Sequence, residues 1–565
     1  MSVEPAVRES RPWPILAWLQ HYDRSSLRYD LLAGLTVWAL VVPQAIAYAQ
    51  IAGLPPQAGV FCAFAAPLGY ALLGTSRQLI VSPTSATAAL SASMVAPLAA
   101  NNLDRFAALS ALLAITSGIV FILLGYLKLG FVSQFIATSV QTGFLFGLGL
   151  TIMIGQFCDL IGIDKVDEPF YRQFWHVLQN IEQLNGWTAV LGISALAIMF
   201  GARRLFPDVP TVLPLAILAI LIVAIFSLDD HGVAIVGHVD RAVPMPVIPT
   251  DVNLSDFATL LPGTLAIAII GYSESISVSD RFANKHKYEI AANQEMKALG
   301  TTSLAAGLFQ GFIASGGASQ TAANDRAGAR TQMASVILAV LAGITAIALL
   351  PYIADLPIAV LAAVVISAVV GFINVPAMRR MQQLSTASFV ASVVTLVAVL
   401  LFGILPGLLI AVGLSIIRLI ERQSRPTVSE LGRVPATNQF VKLASDPDLE
   451  QTPSLMIVRL DAPLLFLNAT TLRESVRDQV AARESKPEVV VLDLEFSLDF
   501  DVTGLEVLGR IQENLRDENI AFWLAGMRSG ARERIARAVE IGAAPAIPSF
   551  RTVGDAVAAY NAGDR

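Results

Sequence analysis

The first 420 residues alternate long apolar runs with short polar joints, and the last 130 or so do not. A membrane-crossing helix needs ~20 mostly apolar residues, or fewer where it is broken inside the protein. On that criterion the pattern predicts fourteen spans, near residues 31–50, 58–74, 84–98, 106–126, 132–158, 187–202, 211–227, 256–278, 296–313, 319–330, 333–351, 357–373, 386–403 and 405–420. An even number places both termini on one side. The third and tenth spans are the weakest by hydropathy. After about residue 437, strand and helix patterns alternate. Leu455–Leu460, Leu464–Leu467, Glu488–Leu494 and Ile520–Leu524 read as strands, and Thr470–Arg483, Val502–Leu515, Ala531–Glu540 and Val553–Tyr560 as helices. That alternation predicts a small α/β domain. The expected division is an N-terminal segment (1–30), an all-α membrane domain (31–420), a linker (421–437) and the α/β domain (438–565).

Composition agrees with this split. Only 15% of the 565 residues are charged and 55% are hydrophobic, with mean hydropathy +0.63. A soluble globular chain carries about a quarter charged residues, so a soluble enzyme, a disordered chain and a fibrous protein are excluded. Residues 421–565 hold 17 of the 38 Lys and Arg and 22 of the 44 Asp and Glu. The net charge of −6 leaves no nucleic-acid footprint. The two cysteines, Cys62 and Cys158, lie in apolar stretches and make no disulfide framework or metal site. Residues 1–30, with Arg8, Arg11, Arg24 and Arg28, lack the apolar core of a signal peptide.

Charge also orients the chain. Loops on the N-terminal side carry Arg77, Lys128, Arg203, Arg204, Arg281, Lys285, Lys287, Arg379 and Arg380; the opposite loops carry Arg105, Lys165, Arg172 and Arg241, mostly beside acids. The positive-inside rule then predicts cytoplasmic termini and a cytoplasmic C-terminal domain.

Two segments break the hydropathy pattern in a related way, Val81-Ser82-Pro83-Thr84-Ser85-Ala86-Thr87 and Ser315-Gly316-Gly317-Ala318-Ser319-Gln320-Thr321. Each is a hydroxyl-rich entry into a short helix, at position three of a seven-span half. Ser82 or Thr84 can cap the first, with Pro83 near its first turn. Irregular backbone at membrane depth survives only when buried or lining a cavity, and paired interruptions in two halves point to a transport site. Two helix starts meeting at the midplane suit a small anion. Taken singly, each segment also reads as an ordinary kinked helix. Gln44 and Tyr48 share a face of the first span, where Pro43 is expected to break the helix; they are candidate ligand contacts or satisfied core polar groups.

Glu274 is the only acid in Thr259–Val278. An intramembrane carboxylate is costly and points to a proton relay or cation site; the alternative is a structural carboxylate bonded to Ser273, Ser275 or Ser277. Asp325, Arg326 and Arg330 read as an ion-paired helix end. In the C-terminal domain Asp501 and Thr503 sit at the start of a predicted helix.

These residues belong to longer runs. Asp30-Leu31-Leu32-Ala33-Gly34-Leu35-Thr36-Val37, Val42-Pro43-Gln44-Ala45-Ile46-Ala47-Tyr48-Ala49 and Ala52-Gly53-Leu54-Pro55-Pro56-Gln57-Ala58-Gly59 come first. Gly271-Tyr272-Ser273-Glu274-Ser275-Ile276-Ser277-Val278, Asn293-Gln294-Glu295 with Ala298-Leu299-Gly300, and Ser319-Gln320-Thr321-Ala322-Ala323-Asn324 with Ala327-Gly328-Ala329-Arg330-Thr331 follow. In this order they resemble the SulP (sulfate permease) family of anion transporters, which end in a cytoplasmic STAS domain. Val490-Val491-Leu492-Asp493-Leu494 and Asp501-Val502-Thr503-Gly504-Leu505 carry the STAS resemblance. It implies a seven-plus-seven inverted repeat, with spans one to four and eight to eleven forming a core and the others a gate. It implies a homodimer in a bacterial-type inner membrane, and an elevator-like movement of core against gate. Ser82, Thr84, Ser85, Ala318, Ser319 and Gln320 would hold the anion, with Gln44, Tyr48 and Glu274 completing the walls.

The family's tenth-helix motif usually has Arg where this chain has Gln320. A fixed positive charge is absent there, while the amide still offers an N–H donor. This opens the choice between sulfate, carried with an extra cation, and a monovalent anion such as bicarbonate. Glu274 resembles the proton-coupled members, whereas sodium-coupled bicarbonate members tend to have Asp. An uncoupled channel or exchanger, and a non-transporting sensor acting through the STAS domain, are the competing readings. No cofactor beyond a coupling proton or sodium ion is expected. In STAS relatives the Thr503 position is a phosphorylatable Ser that could engage a cytoplasmic regulator; the alternative is that Asp501 and Thr503 cap the helix.

Overall fold

The structure is a computed structural model describing residues 18–19, 22–99, 102–131, 137–166, 168–205, 210–237, 239, 243–250, 252–445, 448–452, 454–497 and 501–563. Arg8, Arg11, Arg241 and the expected start of the fifth span at 132–136 lie outside the described residues. The chain divides into two compact units, Met1–Ser415 and Ile416–Arg565.

The first unit is helical, and its two halves repeat one plan. The first half runs α1 (Leu27–Ile51), α2 (Pro56–Leu73), β1 (Val81–Ser82), α3 (Ser85–Ala99), α4 (Leu103–Tyr126), α5 (Thr138–Ile161), α6 (Phe170–Gln179), α7 (Gly186–Leu205) and α8 (Val212–Phe226). The second runs α9 (Leu254–His286), α10 (Ala292–Leu308), β2 (Ser315–Gly316), α11 (Ala318–Arg326), α12 (Met333–Ile344), α13 (Ile358–Val369), α14 (Val375–Leu384), α15 (Thr386–Phe402) and α16 (Ile404–Ser424). Each predicted span has its helix. The ten-residue α6 and α14 are the additions, and both follow the fifth span of their half. Neither is apolar enough to cross a bilayer.

Packing separates core from gate. In the core α10 lies against α4 and α2, α12 against α2 and α1, and α9 against α4. In the gate α5 packs on α15 and α13, and α7 on α13. The pairs α10–α4 and α2–α12 are equivalent under the repeat, as are α5–α15 and α13–α7. Lipid offers no hydrophobic drive for helices to associate, so close backbone approach through small residues holds them. A Cβ on Gly59 would stand 2.0 Å from the Ala45 carbonyl oxygen, and one on Gly143 would stand 2.0 Å from that of Ser392. Glycine is therefore required at one core seam and one gate seam.

The second unit is a five-stranded sheet in the order β4-β3-β5-β6-β7, from β3 (Val428–Arg433), β4 (Phe440–Lys442), β5 (Leu455–Leu460), β6 (Val489–Asp493) and β7 (Ala521–Ala525). The last three are parallel and β3 joins them antiparallel. The helices are α17 (Ala469–Ala481), α18 (Val502–Asp517), α19 (Ser529–Glu540) and α20 (Val553–Ala562). All of β6 is buried, as its unbroken apolar run requires. Val490 and Leu492 pack toward α17 and α18, Val489 and Val491 toward α20.

Two expectations need correction. Leu464–Leu467 is not a strand. Asn468 accepts from the Leu465 N–H at 3.0 Å and donates to the Pro463 carbonyl at 2.9 Å, turning the chain into α17. The stretch 421–437 is not only a linker, because it holds the end of α16 and all of β3. β3 is short and half-polar, so it carries no strong apolar period.

Burial pushes the Asp493 carboxyl up from its ordinary value, opposed by the Arg459 guanidinium at 2.7 Å. A raised folded-state value means this group's stability is fully present below the unfolded value and lost as pH rises through the folded one. Arg459→Met is therefore expected to cost about 3 kcal/mol at pH 8, by leaving a buried carboxylate unpaired. Less should be lost as pH falls and the carboxyl takes up its proton. Hydrogen exchange of β5 and β6 amides in the full chain, corrected for intrinsic pH dependence, measures this.

Candidate functional site

The two interrupted segments meet. β1 and β2 form a two-stranded antiparallel ladder with Val81 opposite Gly316 and Ser82 opposite Ser315. It extends through Gly317 N–H, which donates to the Ile80 carbonyl at 3.0 Å. The starts of α3 and α11 are thereby held on either side of one small crossing. The ladder satisfies backbone groups that would otherwise be orphaned inside the membrane unit.

The surroundings fix this crossing. The Ser275 hydroxyl of α9 accepts from Gly316 N–H at 2.8 Å and donates to the Gly271 carbonyl at 2.7 Å. Ile80 N–H donates to Thr321 Oγ1 at 3.1 Å, and Asn324 Nδ2 to the Gln78 carbonyl at 2.9 Å. Behind β1, buried Glu295 of α10 accepts from Tyr70 Oη at 2.7 Å and from the N–H groups of Thr75 at 2.6 Å and Ser76 at 3.2 Å. Gln332 Nε2 donates to the Gly74 carbonyl at 2.6 Å and the Ser76 carbonyl at 3.1 Å. Sequence reasoning attached no role to Glu295 or Gln332, because their partners lie more than 200 residues away.

The predicted site residues come together here. Ser82, Thr84 and Ser85 are buried at the start of α3. Thr84 Oγ1 lies 3.0 Å from both Thr87 Oγ1 and Ser315 Oγ, and accepts the Thr87 N–H at 3.4 Å. Thr84, not Ser82, is thus the cap, and Pro83 precedes it. Ser82 Oγ is buried and has no hydrogen-bond partner among the described residues. Ala318 and Ser319 are exposed at the start of α11, and Gln320 is buried. Gly317 ends the loop without a side-chain cap. Gln320 Nε2 donates to Gln44 Oε1 at 2.9 Å, and Ser319 Oγ donates to Gln320 Oε1 at 2.9 Å. Tyr48 lies beside Ser85. α1 runs unbroken through Pro43, contrary to expectation; packing tolerates the one lost bond to the Ala39 carbonyl.

Glu274 sits in α9, half-buried, with the Ser315 hydroxyl beside it. Its Oε2 is buried with no hydrogen-bond partner among the described residues. The Ser275 and Ser277 hydroxyls donate instead to carbonyls one turn back. The carboxylate is therefore not held by those two serines. No group of three or more His, Cys, Asp or Glu that could hold a metal occurs among the described residues.

Asp325 is ion-paired, but to Lys285 and His286 of α9 rather than to Arg326 or Arg330. In the second unit Asp501 caps α18, accepting Gly504 N–H at 2.7 Å with one oxygen and Phe466 N–H at 2.7 Å with the other. Thr503 is exposed in the first turn of α18.

An inverted-repeat membrane unit with crossing half-helices, joined to an α/β unit, defines a multi-span transporter and not an enzyme. Residues 27–395 match the sulfate permease family and residues 446–556 the STAS domain, and the chain belongs to the sulfate permease family. It is 34% identical over 547 residues to a probable sulfate transporter of Mycobacterium tuberculosis, covering 97% of this chain and 98% of that protein. It is 29% identical over 576 residues to high affinity sulfate transporter 2 of Stylosanthes hamata, covering 97% and 86%. The structure of the murine Slc26a9 anion transporter in the inward-facing state has the same fold, with TM-score 0.89 at 22% identity, over 99% of this chain and 96% of that one. The transmembrane domain of the cyanobacterial bicarbonate transporter BicA is similar over 69% of this chain and 99% of its own, with TM-score 0.61 at 22% identity.

Proposed function

We propose that this protein is a secondary active transporter of a small inorganic oxyanion, sulfate foremost, driven by protons and moving its core against its gate. The observation that carries this reading is the β1–β2 crossing. It sets two helix starts together around hydroxyls and an amide, with Ser82 Oγ and Glu274 Oε2 left without hydrogen-bond partners among the described residues. Positive helix ends and neutral donors suit an anion, and a buried carboxylate nearby suits a proton. The M. tuberculosis and S. hamata relatives, a probable sulfate transporter and a high affinity sulfate transporter, support sulfate. A carboxylate beside an anion site repels the anion until it is protonated, and that is the physical basis for coupling. The anion contacts in this reading are Ser82, Thr84, Ser85, Ala318, Ser319 and Gln320, with Gln44 and Tyr48 beside them.

A second reading is sodium-driven bicarbonate transport, favoured by the neutral amide at Gln320. We place the termini and the STAS domain in the cytoplasm from the loop charges, read the assembly as a homodimer, and keep Thr503 as a modification site through which a cytoplasmic regulator would act. Uptake of labelled sulfate and of bicarbonate into proteoliposomes, each under an inward proton or sodium gradient, tests the reading. Proton-driven sulfate uptake is expected. Sodium-driven bicarbonate uptake selects the second reading, and conductance far above carrier turnover makes the protein a channel.

A further inference from the structure

Where α1 begins, three guanidinium groups surround an open pocket of about 370 Å³ lined by Arg24, Ser25, Arg28, Tyr29 and Arg330. All three arginines are exposed. Two of them share one aromatic ring. The Arg330 guanidinium carbon lies 3.8 Å from the Tyr29 ring centroid and that of Arg28 lies 4.5 Å from it. Arg28 also donates to the Tyr29 hydroxyl.

No ion pair neutralises this cluster among the described residues. Asp23 turns its carboxylate to Ser25, accepting from its N–H at 2.9 Å and from its hydroxyl. Asp30 is fully buried and already accepts from Arg330 N–H at 2.8 Å, Thr331 N–H at 3.1 Å and Thr331 Oγ1 at 2.7 Å. The Asp30 bonds hold Arg330 beside α1 through its backbone and leave its side-chain charge to the pocket. Asp23 lies within electrostatic range of Arg330 without pairing to it, so three guanidinium groups face one nearby carboxylate, and the excess positive charge and the guanidinium forks suit phosphate oxygens.

Position says which anion. On α1, Arg28 continues directly into Leu31, Leu32 and Leu35, which are 46%, 60% and 40% exposed. Residues three, four and seven apart lie on one side of a helix, so the cationic pocket adjoins an exposed apolar stripe on α1. Trp18, an amphipathic side chain of the kind enriched at membrane interfaces, anchors nearby, its indole N–H donating to the Ala71 carbonyl at 2.8 Å. An anion that carries an acyl chain matches a cationic pocket beside exposed leucines at the end of a spanning helix.

We propose that Arg24, Arg28 and Arg330 bind the phosphate of an anionic phospholipid. That phosphate ties the start of α1 to the connection between α11 and α12, and so braces the element that carries Gln320. Basic pockets of this kind at the end of membrane helices recognise lipid headgroups.

The test is native mass spectrometry of the full-length protein titrated with phosphatidylglycerol or, as a neutral control, phosphatidylcholine. Wild-type protein should retain phosphatidylglycerol selectively. R24Q/R28Q/R330Q should bind it roughly a hundredfold more weakly, as expected for three interfacial charges. The milder variant R28Q, and R330K, which keeps the charge but loses the planar fork, should fall between. Thermal melting in detergent checks that the variants fold. Equal phosphatidylglycerol retention by wild type and triple variant overturns the proposal. So does inorganic phosphate that binds the lipid-free protein at these arginines and is not displaced by phosphatidylglycerol. The readout is binding, so it stands whether or not sulfate proves to be the cargo.

Discussion

Glu274→Gln is expected to reduce proton-driven sulfate accumulation in proteoliposomes to the level of empty vesicles, while the protein still folds and binds anion. The substitution is nearly isosteric. It removes an ionisable group whose Oε2 is buried with no hydrogen-bond partner among the described residues and puts an amide in its place. A protonated carboxyl is neutral and can donate to an anion, whereas the carboxylate only accepts and repels it. Gln mimics the neutral form permanently. Binding is thus retained or strengthened, and the link between proton and anion is cut. The measurement pairs uptake under an inward proton gradient with equilibrium binding of labelled sulfate in detergent. Uptake that remains proton-driven in the variant sinks the assignment of Glu274 as the coupling group. Loss of both uptake and binding, in a protein with an unchanged melting profile, sinks it equally, because the role would then be structural.

The second large effect is expected from Gly317→Val. A Cβ on Gly317 would stand 2.0 Å from Gln320 Oε1 and 2.6 Å from its Cδ, well inside contact distance. Gln320 must then swing away and lose its bond from Nε2 to Gln44 Oε1. Both partners are buried, so two amide groups are left to find new ones. An unsatisfied buried donor or acceptor costs about 1–3 kcal/mol. That cost falls on stability; with the Gln320 amide displaced from the site, anion affinity is expected to fall about tenfold, the loss of about 1.4 kcal/mol of binding. Gly317→Ala should weaken binding in the same direction. Gln320→Ala tests whether the amide itself matters. If Gly317→Val binds sulfate with wild-type affinity, the Gln44–Gln320 pair is not part of the anion site.

Much of the architecture was legible in the chain. Apolar runs of spanning length mark the helices, because lipid forces every backbone group to be satisfied within a helix. The weak third and tenth spans mark the two broken ones. The unbroken apolar run of β6 announced a strand buried on both faces. Less legible were α6 and α14, which are too short and polar to register as spans. β3 and β4 escaped because an edge hairpin needs no strong apolar period.

What the sequence by itself determined is the set of apolar spans, the two interrupted ones among them, and the alternating strands and helices after them. Each of these is written in local composition and spacing. Tertiary structure alone decided that β1 pairs with β2, that Gln44 of α1 accepts from Gln320 of α11, and that Asp30 holds the turn before α12. These contacts join positions between 230 and 300 residues apart. No local pattern encodes them. They arise because the two repeats pack antiparallel, so that polar groups lipid cannot satisfy find their partners across the seam.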